Sequence, residues 1–395
     1  MKNINWKEIY IYLLIISAFI SISIFEVFVV IGLLWVIFEI FKKRKELFKG
    51  SFRYPLVIYS GVTVASTALY APKMFTKSIE EGIFQLLYFL DIKSNKEQIK
   101  KIIYLFLAIG IILSFVVFYF YFTKHDIKLI WGGAFEVGQF FGMFSLMAFF
   151  VFVYYYKLKS KKFFLFFTLF LFFFAILIFA HKRSPLLGYL VVAYLSIIVL
   201  YKNKMFPKIW FWGLNVLLTA SLIGGYIYLS KTDYRFKTFN EMIIGKKPFS
   251  SKTLDIAASG RVRIAKDAIL IIKDDIKNHR WTNILVGHGI RSGYYLPHKY
   301  SWKSLTKYES IFILSEFIEK GLIGLIAILT IFFLAFKRFL SVKIHNVEDV
   351  FVLGMFVPLL IHLVGVIFTF FWDALLPMYL LLFKIGEMYF YREEK

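Results

Sequence analysis

Apolar runs follow one another along nearly the whole chain, parted by short polar links, and polar character dominates at length only between Ser230 and Tyr308. A run of about 20 apolar residues is what a helix needs to cross ~30 Å of hydrocarbon. The pattern predicts spans near 8–23, 25–41, 54–70, 77–91, 101–122, 137–156, 163–180, 185–201, 208–229, 312–337, 350–370 and 373–390, twelve in all. The run from Ile9 to Phe41 is too long for one ordinary crossing. It is divided at Glu26, where a carboxylate in mid-bilayer is costly. The segment 77–91 is short, and if it lay in the interface every later link would change sides. The expected fold is all-α, a polytopic integral membrane protein of about twelve transmembrane helices. About nine lie in 1–229, a large extracytoplasmic loop with an amphipathic helix occupies 230–308, and about three lie in 309–395.

Composition agrees: 59% of residues are hydrophobic, 49 are Phe, and the mean hydropathy is +0.70. Phe is expected mainly at lipid-facing positions. The net charge of +23 raises nucleic acid as a partner, but the basic residues sit in short links between spans, as cytoplasmic loops require, so membrane lipid is expected and nucleic acid is not. The absence of cysteine excludes disulfides, cysteine nucleophiles and thiolate metal sites. The N-terminal stretch shows no small-residue cleavage site and reads as an uncleaved first span. With twelve spans, the basic links Lys42–Arg53, Lys93–Lys101, Lys157–Lys162, Lys202–Lys208 and Lys337–Lys343 share one side, the cytoplasm. The long segment after Leu229 then lies outside. It carries sixteen Lys/Arg against six Asp/Glu from Ser230 to Lys307, and loops beyond about 60 residues translocate regardless of charge. A basic outer loop asks for an anionic partner.

Within that loop, Ile264, Ala268, Ile271, Ile272 and Ile276 recur at helical spacing, opposite Arg263, Lys266, Asp267, Asp274 and Lys277. This predicts an amphipathic helix over 261–281, started by Ser259 and Gly260, which either covers the bundle or aims Arg261 at a phosphate. Gly287-His288-Gly289-Ile290-Arg291-Ser292-Gly293 lacks the surroundings of a dinucleotide fingerprint and predicts a tight turn. His279, His288 and His298 lack metal-ligand spacing, and no metal or other cofactor is expected.

Glu309, where a helix enters the membrane, is a candidate general base or a helix cap. The link His181-Lys182-Arg183-Ser184-Pro185 is basic although it falls outside. Either Arg183 holds an anionic group in a water-filled cavity or it snorkels to lipid headgroups.

The order of these features resembles the O-antigen ligase and O-antigen polymerase superfamily of bacterial envelope glycosyltransferases. The matching elements are Lys182-Arg183-Ser184, Ser259-Gly260-Arg261, Gly287-His288-Gly289 and Gly321-Leu322-Ile323-Gly324, with Trp372-Asp373 as an acidic penultimate link. The resemblance covers most of the chain as architecture and about 179–336 as motif. It implies a glycosyltransferase-C-like membrane enzyme that transfers glycans carried on undecaprenyl diphosphate at the outer face of the bacterial inner membrane, without a metal or a nucleotide sugar. It further implies that Arg183 and Arg261 attend the diphosphate, and that a chain-length regulator protein is a partner. Ligase members carry a His-Asn pair shortly before the Gly-Leu-Ile-Gly motif. Here Glu309-Ser310-Ile311 stands there, which favours a polymerase.

Transfer from a lipid diphosphate needs cations for the leaving group and a base for the acceptor hydroxyl. Arg183 and Arg261 are the candidate cations, with Arg263 or Arg291 as substitutes and Asp373 as a further substrate-binding residue. Glu309 is the candidate base in an inverting displacement, with His298 and His288 as alternatives. The expected function is polymerisation of lipid-linked repeat units into a surface polysaccharide. A ligase, or a transporter or flippase of lipid-linked glycans, is the alternative.

Overall fold

The computed structural model of the chain describes residues 5–43, 49–92, 95–292, 296, 311–368, 371 and 373–393. The apolar runs form helices, the local structure that satisfies every backbone hydrogen bond inside one segment in lipid. No strand occurs among the described residues. Among the described residues seven helical stretches are long and apolar enough to cross a membrane: Ile22–Lys42, Lys96–Lys124, Ala134–Lys157, Lys162–Phe179, Arg183–Lys202, Phe312–Leu340 and Val347–Gly365. The chain is therefore an all-helical, polytopic membrane protein.

In chain order the helices are α1 (Trp6–Ile20), α2 (Ile22–Lys43), α3 (Arg53–Tyr70), α4 (Phe75–Glu81), α5 (Lys96–Lys124), α6 (Ala134–Lys157), α7 (Lys162–Phe179), α8 (Arg183–Lys202) and α9 (Lys208–Thr232). Four shorter or polar ones follow, α10 (Tyr234–Ile243), α11 (Ser251–Ala257), α12 (Arg261–Lys277) and α13 (Trp281–Val286). The last three are α14 (Phe312–Leu340), α15 (Val350–Gly365) and α16 (Leu376–Glu393). Helices α6 and α15 form the centre: Val137–Tyr154 and all of α15 are buried. Phe is not confined to the lipid face, because Phe141, Phe144 and Phe173 are fully buried and pack against one another edge-on or tilted.

Two expected spans take a different form. The first long run breaks at Ser21, whose extended backbone (φ −161°, ψ 132°) turns α1 into α2, while Glu26 stays half-buried inside α2. The segment 77–91 is not one helix. It consists of α4, a break at Gly82 and a 3₁₀ stretch from Ile83 to Phe89. It nevertheless runs back along α3, since the Tyr88 hydroxyl accepts the Phe52 N–H at 3.2 Å, beside the start of α3.

Polar contacts gather at both ends of the bundle. At one end Lys7 bonds Glu39 and the Asp91 carbonyl, Glu387 accepts the Ser51 N–H at 3.0 Å, and Asp349 accepts from Tyr389 at 2.9 Å. The Asn203 side chain also ties the Val342 carbonyl to the Ile344 N–H there. At the other end Trp131 Nε1 donates to the Ala18 carbonyl at 3.1 Å, and Ser184 Oγ donates to the Gly365 carbonyl.

Helix α12 ends at Lys277 rather than reaching 281, and its cap is Gly260 in the left-handed region (φ 83°) with no side-chain cap. Ser259 shares that conformation (φ 58°), so Ser259-Gly260 is a left-handed turn between α11 and α12.

Candidate functional site

Arg183 opens α8, and Asp233 caps α10 directly after α9. The two side chains meet, with Arg183 Nη2 2.5 Å from Asp233 Oδ2. Arg235 grips the same carboxylate twice, through Nε to Oδ1 at 3.1 Å and through Nη2 to Oδ2 at 2.9 Å. These bonds, led by those from Arg235, hold the Asp233 carboxyl below its usual pKa. The third guanidinium nitrogen of Arg235, Nη1, donates to Ser259 Oγ at 3.0 Å, which is how the left-handed turn is tied in. Arg261 follows that turn; its charge is felt by Arg183, and it feels the charge of Arg235 in turn. Burial first, and then repulsion from Arg235, lower the pKa of Arg261. The Arg183 guanidinium also stacks on Phe236, 4.5 Å from its ring centre. Two guanidiniums hold the one carboxylate, and with Arg261 following the Ser259-Gly260 turn the cluster carries a surplus of two positive charges. Arg183 is partly accessible, its side chain 38% exposed.

The structure thus brings together Arg183 and Arg261, which the sequence offered as separate candidates. Arg263 faces elsewhere, with its N–H and its guanidinium on Asp255. Arg291 belongs to a second cluster. Its N–H donates to Glu319 Oε1 at 2.8 Å, and its Nε lies 4.0 Å from Glu81.

That second cluster is built on a break in α14. Gly321 has φ 64° and ψ −169°, a conformation open essentially to glycine. The Gly287-His288-Gly289 turn docks there, its N–H groups donating from His288 to the Ile318 carbonyl at 2.8 Å and from Gly289 to the Glu319 carbonyl at 2.9 Å. The approach leaves no room for side chains, as a Cβ on Gly287 would stand 2.3 Å from the Glu319 carbonyl carbon. Beneath the turn, Lys320 is buried and donates to Glu316 at 3.2 Å and Glu319 at 3.3 Å, while Tyr59 donates to Glu316 at 3.0 Å.

His288 is held at both ring nitrogens. Nε2 lies 2.8 Å from Asp275 Oδ2 and Nδ1 lies 3.2 Å from the Asn283 amide nitrogen. A carboxylate only accepts, so Nε2 carries the proton and Nδ1 accepts from Asn283. The role of alternative base is thereby withdrawn from His288, which ties α12 to α13. His298 and Glu309, the other candidate bases, lie outside the described residues.

Asp373 lies in a third cluster. Its Oδ1 accepts the Leu375 N–H at 2.8 Å, starting the turn into α16, and its Oδ2 is 3.9 Å from His362 Nδ1. His362 is buried in α15. Its Nε2 donates to the Phe371 carbonyl at 2.9 Å, which leaves Nδ1 facing the Gln139 amide at 3.4 Å. The same amide donates to Tyr379 at 3.2 Å. The clusters adjoin: Ser184, next to Arg183, bonds the end of α15, and the Phe371 ring packs edge-on against Tyr59 at 5.4 Å.

No family model matches the chain. It is 46% identical over 391 residues, 98% of each chain, to an uncharacterized protein of Aquifex aeolicus (strain VF5). The chain belongs to the family of that Aquifex protein. The likeness runs through the bundle and the segment carrying α10 to α13 together, so all three clusters lie within what the two chains share in length.

Sequence reasoning missed Arg235, Asp233, His362, Gln139 and Lys320. A signal existed for His362 and Lys320, each an ionisable residue inside an apolar run, where such residues are costly and tend to be functional. Asp233 and Arg235 carried no such mark, because charge just past a span is ordinary.

Proposed function

We propose that this chain is a membrane glycosyltransferase that polymerises repeat units carried on undecaprenyl diphosphate into a surface polysaccharide. The observation that carries the reading is the pairing of Arg183 and Arg235 on Asp233 where α8 begins and α9 ends, with Arg235 also bonded to the Ser259 turn that precedes Arg261. The cluster's surplus of two positive charges suits a lipid-borne diphosphate. Guanidiniums bind phosphate oxygens in a planar fork.

In this mechanism the arginines take the charge that develops on the departing diphosphate. Glu309 removes the proton from the acceptor hydroxyl, whose oxygen displaces the carrier at the anomeric carbon with inversion. Asp373, beside His362, orients the acceptor sugar. With the twelve crossings that the hydropathy pattern predicts, the arginine cluster would face the outer side of the inner membrane. A chain-length regulator is a fitting partner.

One observation favours a second reading, a transporter or flippase: Glu316, Glu319 and Lys320 are buried in a broken apolar helix, as in the discontinuous helices of transporters. Purified protein in liposomes with a lipid-linked repeat unit separates the readings. Polymerisation yields a ladder of products, ligation yields one adduct on an added acceptor, and transport moves the lipid between leaflets with no new bond. Active liposomes that move lipid without forming a ladder sink the polymerase reading.

A further inference from the structure

Helix α3 turns Val57, Ile58 and Leu69 outward, 45%, 46% and 69% exposed, and buries Tyr59, Ser60, Thr63, Ser66 and Thr67. The segment opposite, α4 with its 3₁₀ extension, buries Ser78, Glu81, Gln85 and Tyr88, three or four residues apart. Two polar faces therefore meet inside an apolar bundle. Polar and ionisable groups are costly in such a place, and they mark the routes of ions and protons.

Gln85 stands at the centre of this seam. It is fully buried, and among the described residues neither its amide oxygen nor its amide nitrogen has a hydrogen-bond partner. The residues one 3₁₀ turn to either side of it are fixed on α3. The Gly82 carbonyl accepts from Ser60 Oγ at 2.9 Å, and the Tyr88 hydroxyl accepts the Phe52 N–H at 3.2 Å. Residues three apart in a 3₁₀ helix lie one above another at ~2 Å rise per residue, so Gln85 faces α3 about 6 Å along the axis from each. An amide with two unmet groups in a polar seam calls for water, which both donates and accepts.

Groups that exchange protons stand on both sides of it. Toward the break in α14, Tyr59 donates to Glu316 at 3.0 Å, and Lys320 links Glu316 to Glu319. Arg291, 35% exposed, joins Glu319 to Glu81. Among the described residues three carboxylates face two cations there, which leaves one carboxylate as a place for a proton. Toward the Lys7 end, Tyr88 donates to Glu387 at 3.2 Å, and Glu387 accepts the Ser51 N–H at 3.0 Å and lies 3.7 Å from Arg338. Lys384 of α16 stands 5.3 Å over the Tyr88 ring, and Glu39 of α2 accepts the Asp91 N–H at 3.2 Å just past the segment.

We propose that the seam between α3 and residues 78–88 conducts protons through the bundle, from the Glu81–Glu319 cluster past water held on Gln85 to Tyr88 and Glu387. A proton joins a carboxylate of the cluster, the water on Gln85 gives one onward as it receives one, and Glu387 releases one at the far end. Each O–H bond broken is matched by one formed, and Gln85 keeps both amide hydrogens. One positive charge crosses with each proton, so sustained flux needs a counter-flow of ions. The route does not rest on the glycan reading, and its test contains no glycan.

The full chain in liposomes enclosing a pH-sensitive dye tests it, with the potential set by a potassium gradient and valinomycin. Wild type should pass protons at least about tenfold faster than protein-free liposomes, as a polar route through hydrocarbon requires. Gln85→Leu holds no water and should lower that rate about tenfold or more, without lowering the melting temperature, since it removes two unmet polar groups. A purely structural Gln85 would leave the rate unchanged. If Gln85→Leu does not fold, Thr63→Val decides by the same fall in rate. Thr63 faces position 82, where an added Cβ would stand 3.4 Å from its own, and valine keeps its shape without the hydroxyl. Wild-type liposomes no more permeable to protons than protein-free ones overturn the proposal, as does a folded variant of the deciding kind that conducts at the wild-type rate.

Discussion

Arg183 and Asp233, fifty positions apart, are joined by a 2.5 Å ion pair that ties the start of α8 to the turn just past α9. Arg235 holds the other side of the same carboxylate. Asp233 thus keeps two guanidiniums side by side that would otherwise repel, and it prepares a cationic surface at the end of the bundle.

Removing one cation should weaken the anion site. Arg183→Ala and Arg261→Ala should each lower affinity for a polyprenyl phosphate by roughly tenfold to a hundredfold, the value of one hydrogen bond to a charged group at about 1.5–3 kcal/mol. Lysine at either position should recover only part of this, since its ammonium lacks the planar fork. Equilibrium binding measures it, and wild-type affinity in both alanine variants would remove the arginines from the site.

Asp233→Asn raises the local surplus by one positive charge. It should tighten phosphate-lipid binding and steepen its dependence on salt. The effect on stability has the opposite sign and depends on pH. The carboxyl of Asp233 has its pKa lowered by folding, so its contribution is complete above the unfolded value, about 3.9, and is lost as pH falls through the lower folded value. Melting temperatures of wild type and variant should differ by a constant amount at neutral pH and converge in acid below about pH 4. A gap that persists unchanged in acid would show that Asp233 acts by packing.

Gly321→Ala should be severe. The residue sits where a side chain is strained by about 1–3 kcal/mol, and its Cβ would meet the Leu285 carbonyl carbon at 2.4 Å. Gly287→Ala, on the other side of the same contact, should behave alike. Gly213→Ala meets open space and should leave the melting temperature within about 1 °C or raise it slightly. Equal effects at all three positions would contradict the docking of the turn on broken α14.

His288→Ala removes a side chain that uses both ring nitrogens inside the α12–α13 unit. It should cost about 1–3 kcal/mol of stability, because Asp275 and Asn283 are left short of a partner. If glycan transfer is observed, its pH profile should keep the wild-type shape in this variant, read as activity against pH at saturating donor. A lost limb would return His288 to the chemistry.

Single changes in the buried Lys320 pair should cost about 3–5 kcal/mol each, since Lys320→Met strands two carboxylates and Glu316→Gln strands part of an ammonium. The double variant should cost less than the sum. Additive losses in denaturant titrations would mean that the pair is not coupled.

The sequence made most of the helices legible because hydrocarbon leaves a buried backbone few choices, and a twenty-residue apolar run is a strong signal. The break at Ser21 was misplaced to Glu26 because a single carboxylate in α2 is tolerated half-buried, whereas an extended serine leaves no trace in hydropathy. The return along α3 was visible as an apolar segment, but its division at Gly82 into α4 and a 3₁₀ stretch was not. At the candidate site, Arg183 and Arg261 stood out as charges in unusual places. Their partners Asp233 and Arg235 did not, being ordinary residues for the end of a span.

By itself the sequence determined a membrane-embedded helical protein with a long basic segment, since composition and run length answer to the solvent alone. Only the tertiary structure decided which cations share a site. A left-handed Ser259-Gly260 turn and the Asp233 carboxylate carry Arg261 and Arg235 to Arg183, and contacts across so many residues follow from packing geometry, which no local pattern encodes.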